Sequence, residues 1–361
     1  MAFSATKREW SELYAFLRLL SDGFVCEGLP DLSCMDMERI PVAGIKREEH
    51  DGTRRYLVED GDVHIVGESV DKRFPRSRFT TVADKILSAI RQSSADEVES
   101  PDGVEEFLDE ISLFDLEAKT EDRTDFSISF YAPSVPAKGF VVRSRIGRMI
   151  PLLDGGRTAN MKYELVGAKL PTPAVSKVNN FGEEDDVLGR ILMAERLGCS
   201  LKFVDAADKI FRANLCMIDL RFPRLLGEMV KTMHMEGVTK VSELTSMLET
   251  VNPHKIKEEL ITKNGYYRHK IREFLMAAAT GMRTAKIYRG RESAIKGLLM
   301  VDAEGLVRCY HDGRQDAFAD FLFDNTRLEK GPVQKDKYGY IERENGLYYM
   351  KLNLKVGFIK R

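Results

Sequence analysis

The spacing of apolar residues predicts a helix near the start of the chain. Apolar side chains fall on one stripe of the segment 7–20, as in an amphipathic helix whose stripe faces a core. The residues on this stripe are Trp10, Leu13, Leu17 and Leu20. Helical periodicity returns between residues 183 and 282, which predicts a mostly helical region there.

Strands are predicted where apolar and polar residues alternate, or where short apolar runs lie between turn residues. Residues 125–131 alternate cleanly and residues 139–146 form the next run, so the two segments predict a β-hairpin. The other predicted strands cover residues 56–58, 63–66, 114–119, 161–166, 297–301, 306–311, 339–343 and 347–358. Together with the helices, they predict an α/β fold.

Composition places the chain among ordinary globular proteins. Its 361 residues are 43% hydrophobic and 31% charged, which suits two domains with sizeable cores and excludes disordered and collagen-like classes. We place the division between the two parts near residue 180. No apolar stretch reaches the length of a membrane span and charged residues interrupt positions 7–12, so we expect a cytoplasmic protein with no membrane partner.

Charge is balanced overall but uneven along the chain. The net charge of −2 gives no global basic field, so any contact with nucleic acid has to come from a local patch. The stretch 138–148 carries four cations and no acid. The cations expected to bind a phosphate backbone are Lys138, Arg145, Arg148 and, further along, Arg157. Five irregularly spaced cysteines favour neither a disulfide framework nor a zinc site.

Two groups of acids have the spacing that metal-dependent phosphodiester cleavage requires. The chemistry needs carboxylates to hold Mg²⁺ and a cation beside the phosphate, and PD-(D/E)XK nucleases supply both from adjacent strands. In one arrangement Asp102 precedes Glu117 and Lys119, although this aspartate is more typical of a helix start. In the other, Asp125 heads the alternating strand and Arg143 lies on the next strand. From the pattern alone, Asp125 is equally compatible with a solvated strand end.

The order of several segments resembles the HpaII-type restriction endonucleases from about residue 7 to residue 358. In the first half the resemblance is carried by residues 9–14 (Glu-Trp-Ser-Glu-Leu-Tyr), 117–128 and 139–147. In the second half it is carried by residues 200–204, 270–275, 309–311, 321–329 and 349–354. This ordered set is more specific than any single motif.

The resemblance implies a type II restriction endonuclease that cuts double-stranded DNA at a short, CCGG-like palindrome with Mg²⁺. It implies a PD-(D/E)XK-like core over residues 1–180, in which helices flank a mixed β-sheet. Residues 181–361 would then form a helical and β region that embraces and reads the duplex. A cognate DNA methyltransferase is the expected functional partner, and a homodimer is compatible with the same function.

The resemblance also suggests which acids form the site. Asp125 is the expected catalytic and metal-binding residue. The first helix would add an acid, and the sequence does not separate the two candidates: Glu9 lies nearer the apolar stripe, whereas Glu12 matches the family's spacing. Both are also compatible with a solvated helix surface. Glu164 is a further candidate ligand, with a solvated strand position as the alternative.

The chain differs from the family at the position of the expected catalytic lysine. Where the family carries Ser-Ile-Lys-Ser, this sequence has Val141-Val-Arg143-Ser144, so an arginine replaces the expected catalytic lysine. Arginine keeps the charge and can clamp a phosphate, but its pKa above about 12 excludes a role as general base. Lys119 on the neighbouring predicted strand is another source of an ammonium group. The alternative function is therefore a sequence-specific DNA-binding protein with a degenerate nuclease site.

Overall fold

The computed structural model describes residues 3–117, 123–130, 137–290 and 293–359. They form two compact units. The first unit takes its described residues from Met1–Ile150 and Glu292–Phe321, and the second from Pro151–Arg291 and Leu322–Ile359. The chain therefore leaves the first unit after residue 150 and returns to it late in the sequence.

Strands are distributed along the whole chain. In chain order they are β1 (Ser4–Thr6), β2 (Phe24–Gly28), β3 (Cys34–Glu49), β4 (Gly52–Val58), β5 (Asp62–Val66), β6 (Asp71–Pro75), β7 (Glu97–Glu99), β8 (Phe126–Phe130), β9 (Lys138–Ser144), β10 (Leu153–Asp154), β11 (Met161–Gly167), β12 (Cys199–Ala206), β13 (Ile295–Val301), β14 (Val307–His311), β15 (Thr326–Glu329), β16 (Ile341–Glu344), β17 (Leu347–Leu352) and β18 (Lys355–Phe358).

Helices concentrate in the middle of the chain. In chain order they are α1 (Lys7–Asp22), α2 (Arg76–Gln92), α3 (Val104–Glu110), α4 (Thr172–Asn179), α5 (Val187–Arg196), α6 (Lys209–Cys216), α7 (Phe222–Glu236), α8 (Val241–Val251), α9 (Glu258–Thr262), α10 (Tyr266–Ala279), α11 (Gln315–Asn325) and α12 (Val333–Asp336). Two short 3₁₀ turns cover Gly156–Ala159 and Asp312–Arg314.

The first unit is built on a mixed sheet of nine described strands. Their order is β2-β14-β13-β9-β8-β3-β4-β5-β6. The pairs β13–β9 and β14–β2 are parallel, and the other neighbours in this order are antiparallel. The predicted hairpin of β8 and β9 thus lies inside the sheet, with β3 on one side and β13 on the other.

Helix α1 packs against this sheet and against α2. Phe16 anchors it, with its ring 4.8 Å from the Tyr56 ring and 5.9 Å from the Phe126 ring. Trp10 is fully buried, and its indole N–H donates to the Val98 carbonyl at 2.9 Å. Because its apolar stripe faces the sheet, α1 also directs any polar residue next to that stripe toward the strands.

The second unit joins smaller sheets to the helices α4 to α10. One sheet has the order β12-β11-β17-β16 and another has the order β10-β18-β15. Helix α7 packs against the first of these, where the Tyr163 hydroxyl donates to the Gly227 carbonyl at 2.6 Å. A side chain at Gly227 would collide with the Phe203 ring, so glycine permits this close approach.

The structure confirms a mixed α/β fold and the predicted hairpin, and it corrects two predictions. The helical region 183–282 contains strand β12, whose alternating pattern is short enough to be missed beside longer helices. Residues 114–117 form no strand, and residues 118–119 lie outside the described part of the chain. The compact units divide after residue 150, and β13 and β14 belong to the first unit's sheet.

Candidate active site

Helix α1 places one of its two candidate acids toward the sheet. Glu12 is 4% exposed, and its Oε1 atom is buried with no hydrogen-bond partner among the residues that the structure describes. Glu9 instead takes part in the N-terminal cap of the helix. Its carboxylate accepts from the Thr6 N–H at 2.8 Å, and its own N–H donates to Thr6 Oγ1 at 3.3 Å. This capping box occupies Glu9. Glu12 is therefore the acid available for a site.

Asp125 is fixed at the head of β8 by the neighbouring strand. Its N–H donates to the Phe140 carbonyl at 2.8 Å, and its Oδ2 atom accepts from the Val142 N–H at 2.6 Å. The hairpin ladder thus orients the carboxylate through main-chain atoms of β9. A carboxylate held in this way loses little freedom when it binds a ligand.

The two acids share one electrostatic environment. Burial, and then the charge of Asp125, raise the pKa of Glu12 to about 8. Burial also raises the pKa of Asp125, while the Val142 N–H bond and the charge of Arg143 act in the opposite direction. Without a ligand, Glu12 therefore keeps its proton near neutral pH. A cation between the two carboxylates would remove the repulsion between their charges.

Cations border these acids. The Arg143 Nη1 atom donates to the Val142 carbonyl at 2.8 Å, which holds the guanidinium beside β9. Arg8 forms an ion pair with Glu117 at 3.0 Å. A surface pocket brings the two arginines together with Glu12, and its polar lining residues are Arg8, Ser11, Glu12, Arg143, Ser144 and Arg148. The pocket itself encloses about 10 Å³, room for no more than one water, but its arginines place positive charge next to the acids, as the binding of a phosphate group requires.

A buried ion pair that the sequence analysis missed is formed by Arg47 and Glu49, and its positive charge acts on Glu12. Arg47 is 2% exposed and donates to both carboxylate oxygens of Glu49, at 2.7 and 2.9 Å. Its other terminal nitrogen donates to the carbonyls of Asp115 and Leu116. Residues 115 and 116, which lie in a predicted strand, thus bond to Arg47 and form no strand. The positive charge of Arg47 lowers the pKa of Glu12, whereas burial raises it. The only available signal was the two-residue spacing of opposite charges within β3.

The sequence is similar to known proteins over nearly its whole length. The HpaII restriction endonuclease family model matches residues 6–358 of the chain. The chain belongs to the HpaII restriction endonuclease family. It is 26% identical over 362 residues to the type II restriction enzyme HpaII of Haemophilus parainfluenzae, and the match covers 99% of each chain. No solved structure matches the chain. The protein is accordingly a type II site-specific deoxyribonuclease.

Two further predicted site residues of this endonuclease are Glu164 and Lys119. Glu164 belongs to β11 in the second unit, where it is paired with Lys202 and Tyr349. Lys119 lies outside the described part of the chain. The structure therefore brings together Glu12, Asp125 and Arg143, while Glu9 is engaged in the capping box at the start of α1.

The predicted phosphate-binding cations have different surroundings. Arg148 is exposed beside the pocket, whereas Lys138 forms an ion pair with Asp312 at 2.7 Å. Arg145 is half-buried, and its N–H donates to the Val301 carbonyl. Arg157 is exposed in a 3₁₀ turn of the second unit. Of these four, Arg148 lines the same pocket as Glu12 and Arg143. In the described residues, no helix is long and apolar enough to cross a membrane.

The raised pKa of Glu12 predicts how stability depends on pH. Between its ordinary value of 4.5 and about 8, the unfolded chain ionises this carboxyl while the folded endonuclease keeps it protonated. The free energy of unfolding should therefore fall as pH rises through this window. Glu12→Gln removes the effect. Without metal, the variant's melting temperature should exceed that of the wild type by roughly 5 °C or more at pH 9 but not at pH 4. An equal difference at both pH values, measured by calorimetry, would contradict the assignment.

Proposed function

We propose that the endonuclease uses Mg²⁺ to cut both strands of DNA at a short palindrome, in a PD-(D/E)XK-like site formed by Asp125, Glu12 and Arg143. The observation that carries the proposal is the unpartnered carboxylate oxygen of Glu12, buried next to a second acid and beside an arginine-lined pocket. The resemblance in sequence makes a CCGG-like site the expected target.

The residues present fit a magnesium ion. Mg²⁺ keeps several waters and is usually held by one or two carboxylates together with phosphates of the substrate. Asp125 and Glu12 supply two carboxylates of this kind. In the described part of the chain, no group of three or more His, Cys, Asp or Glu side chains could hold a metal. A site completed by DNA phosphate is consistent with that finding.

Each protein group has a separate task in this proposal. When bound, Mg²⁺ supplies charge neutralisation at the phosphate and activates water. Asp125, oriented by the Val142 N–H, and Glu12, oriented by α1, would hold the ion. Arg143 would bind the scissile phosphate and stabilise the negative charge that grows in the transition state. Arg8 and Arg148 line the same pocket and would guide the DNA backbone into it.

Family membership favours this nuclease over the alternative of a DNA-binding protein with a degenerate site. The alternative rests on Val141 and Arg143, which replace the family's serine and lysine. The structure leaves room for arginine at this position, with its Nη1 bonded to the Val142 carbonyl next to Asp125. Arginine can therefore act here as an electrostatic group that transfers no proton.

Digestion of phage DNA with and without Mg²⁺, followed by sequencing of the fragment ends, tests the proposal. We expect Mg²⁺-dependent fragments whose ends share one short palindrome. Fragments with random ends, or no fragments at any Mg²⁺ concentration, would overturn it.

The same assay on DNA methylated within that palindrome tests a second expectation, namely that a cognate methyltransferase protects the DNA of the host cell. Sedimentation with a palindromic duplex tests whether the protein binds as a homodimer, which is compatible with this function because two-fold symmetric sites suit two-fold symmetric proteins.

A further inference from the structure

An exposed apolar side chain lies in a cationic loop of the second unit, separate from the residues proposed for catalysis. Ile287 is 74% exposed, at the tip of residues 283–289, which we call the Ile287 loop. This loop contains three cations and no acid. The cations are Arg283, Lys286 and Arg289. A single exposed apolar residue is common on protein surfaces, so the loop needs a further observation before it suggests a function.

That observation is a buried amide that fixes the backbone of the loop. Asn214 on α6 is 1% exposed. Its Nδ2 donates to the carbonyls of Arg283 and Lys286, both at 2.7 Å, and its Oδ1 accepts from the Tyr288 N–H at 2.9 Å. One side chain thus satisfies three main-chain groups around Ile287. A buried amide is expensive to desolvate, and here all of its bonds serve to hold the loop.

A second anchor holds the base of the loop. Thr284 is 2% exposed, and its hydroxyl forms a 2.5 Å hydrogen bond with the hydroxyl of Thr158. Gly155 lies so close to Thr284 that a side chain at Gly155 would collide with it. Lys286 and Ile287 nevertheless remain exposed. Tyr288 in the same loop is half-buried and bonded to Thr280, so the loop is ordered while Lys286 and Ile287 stay exposed, which is the arrangement expected of a preorganised binding element.

Charge indicates what the tip binds. An acid-free loop that places cations around an apolar side chain is complementary to DNA, in which a phosphate backbone surrounds the apolar faces and edges of the bases. A second copy of this chain also offers negative charge, because residues 96–117 hold ten acids and no cation, and the sedimentation experiment below distinguishes that occupant from DNA. Family membership already establishes DNA as the substrate of the enzyme.

We propose that the Ile287 loop contacts the bases of the target duplex: Ile287 makes the apolar contact, Lys286 binds a flanking phosphate, and Asn214 is a positioning residue. The inference rests on DNA as the substrate and not on the metal site. Failure of catalysis and failure of this loop are therefore distinguishable, because binding of DNA can be measured without Mg²⁺.

The test compares binding of two fluorescent duplexes by the full-length protein in EDTA. One duplex carries the target site, taken from digestion or from selection of a random pool by binding, and the other is scrambled. We expect Ile287→Ala to reduce the preference for the target by roughly tenfold, as for one lost base contact, with little change on the scrambled duplex. Ile287→Leu should keep the preference. Lys286→Ala should weaken binding to both duplexes and reduce the slope of log K against log salt by about 1.

Val251→Ala is the matched control, because Val251 is an equally apolar side chain, 67% exposed, at the end of α8. It should leave the preference unchanged. If Ile287→Ala behaves like this control, the proposal is overturned. It is also overturned if sedimentation shows that Ile287→Ala separates a dimer and the loss of DNA binding follows dissociation alone, since the loop then contacts a second copy. Asn214→Asp, checked for folding by its melting curve, should reproduce the loss of preference if Asn214 positions Ile287.

Discussion

Replacing Glu12 with glutamine is expected to lower the rate of DNA cleavage by on the order of 10³-fold or more, while leaving the affinity for target DNA within about tenfold. Glutamine has nearly the shape of glutamate, so α1 should pack as before. The amide cannot supply the negative charge that holds a divalent cation beside Asp125. Single-turnover cleavage of a duplex with one target site, at saturating protein and Mg²⁺, measures the loss directly.

The chain offers a matched control three residues away. Glu9→Gln makes the same chemical change on the same helix, but glutamine also serves in a capping box, so activity should stay within about threefold. Asp125→Asn should reproduce the loss seen with Glu12→Gln, since asparagine keeps an oxygen that can accept from the Val142 N–H. Wild-type cleavage by Glu12→Gln, or equal losses in Glu12→Gln and Glu9→Gln, would remove Glu12 from the site.

Removal of the Arg143 side chain is expected to slow cleavage by on the order of 10²-fold or more, the usual cost of losing one preorganised electrostatic donor. The guanidinium lies next to Asp125 and close to the pocket where a phosphate would bind. Arg143→Lys should retain or raise activity, because it restores the compact ammonium of the family pattern. Rates for the three proteins on one duplex, with affinities measured separately, distinguish the chemical step from binding.

Two results would change the role of Arg143. A parent that cuts normally and tolerates Arg143→Ala would place the essential cation elsewhere, with Lys119 as the first candidate. A parent that binds its site without cutting, and gains cleavage through Arg143→Lys combined with Val141→Ser, would establish the degenerate site. The control is Arg148→Ala, which removes another cation from the same pocket and should affect binding more than the rate of chemistry.

The parts of the fold that depend on local pattern could be predicted from the sequence. The stripe of α1 and the alternation of β8 specify their elements within a few residues. Strand β3 could not be predicted in the same way, because its second half ends in four charged residues, a pattern typical of exposed segments. Two of its charges, on Arg47 and Glu49, are buried because Arg47 donates to Glu49 and to two carbonyls distant in sequence, and these contacts exist only in the folded chain.

The candidate site shows the same limit. The sequence proposed Asp125 and left two first-helix acids open, because Glu9 lies nearer the apolar stripe and Glu12 matches the family's spacing. The difference between them arises from Thr6, whose pairing with Glu9 depends on where the helix begins. The strand pairing of Glu164 with Tyr349 is likewise known only from the folded chain. Such choices depend on tertiary neighbours that no local window contains.

The position of β13 in the first unit's sheet has a consequence for synthesis of the enzyme. Strand β9, which carries Arg143, has β13 along one edge, and β13 comes from residues 295–301. A nascent chain that has not yet emerged beyond these residues leaves that edge of β9 open, so the sheet around the acids is incomplete. Cleavage by ribosome-arrested chains of increasing length would locate the step at which the sheet closes. We therefore expect arrested chains to cleave DNA only after residue 301 has emerged, and shorter chains to leave DNA intact.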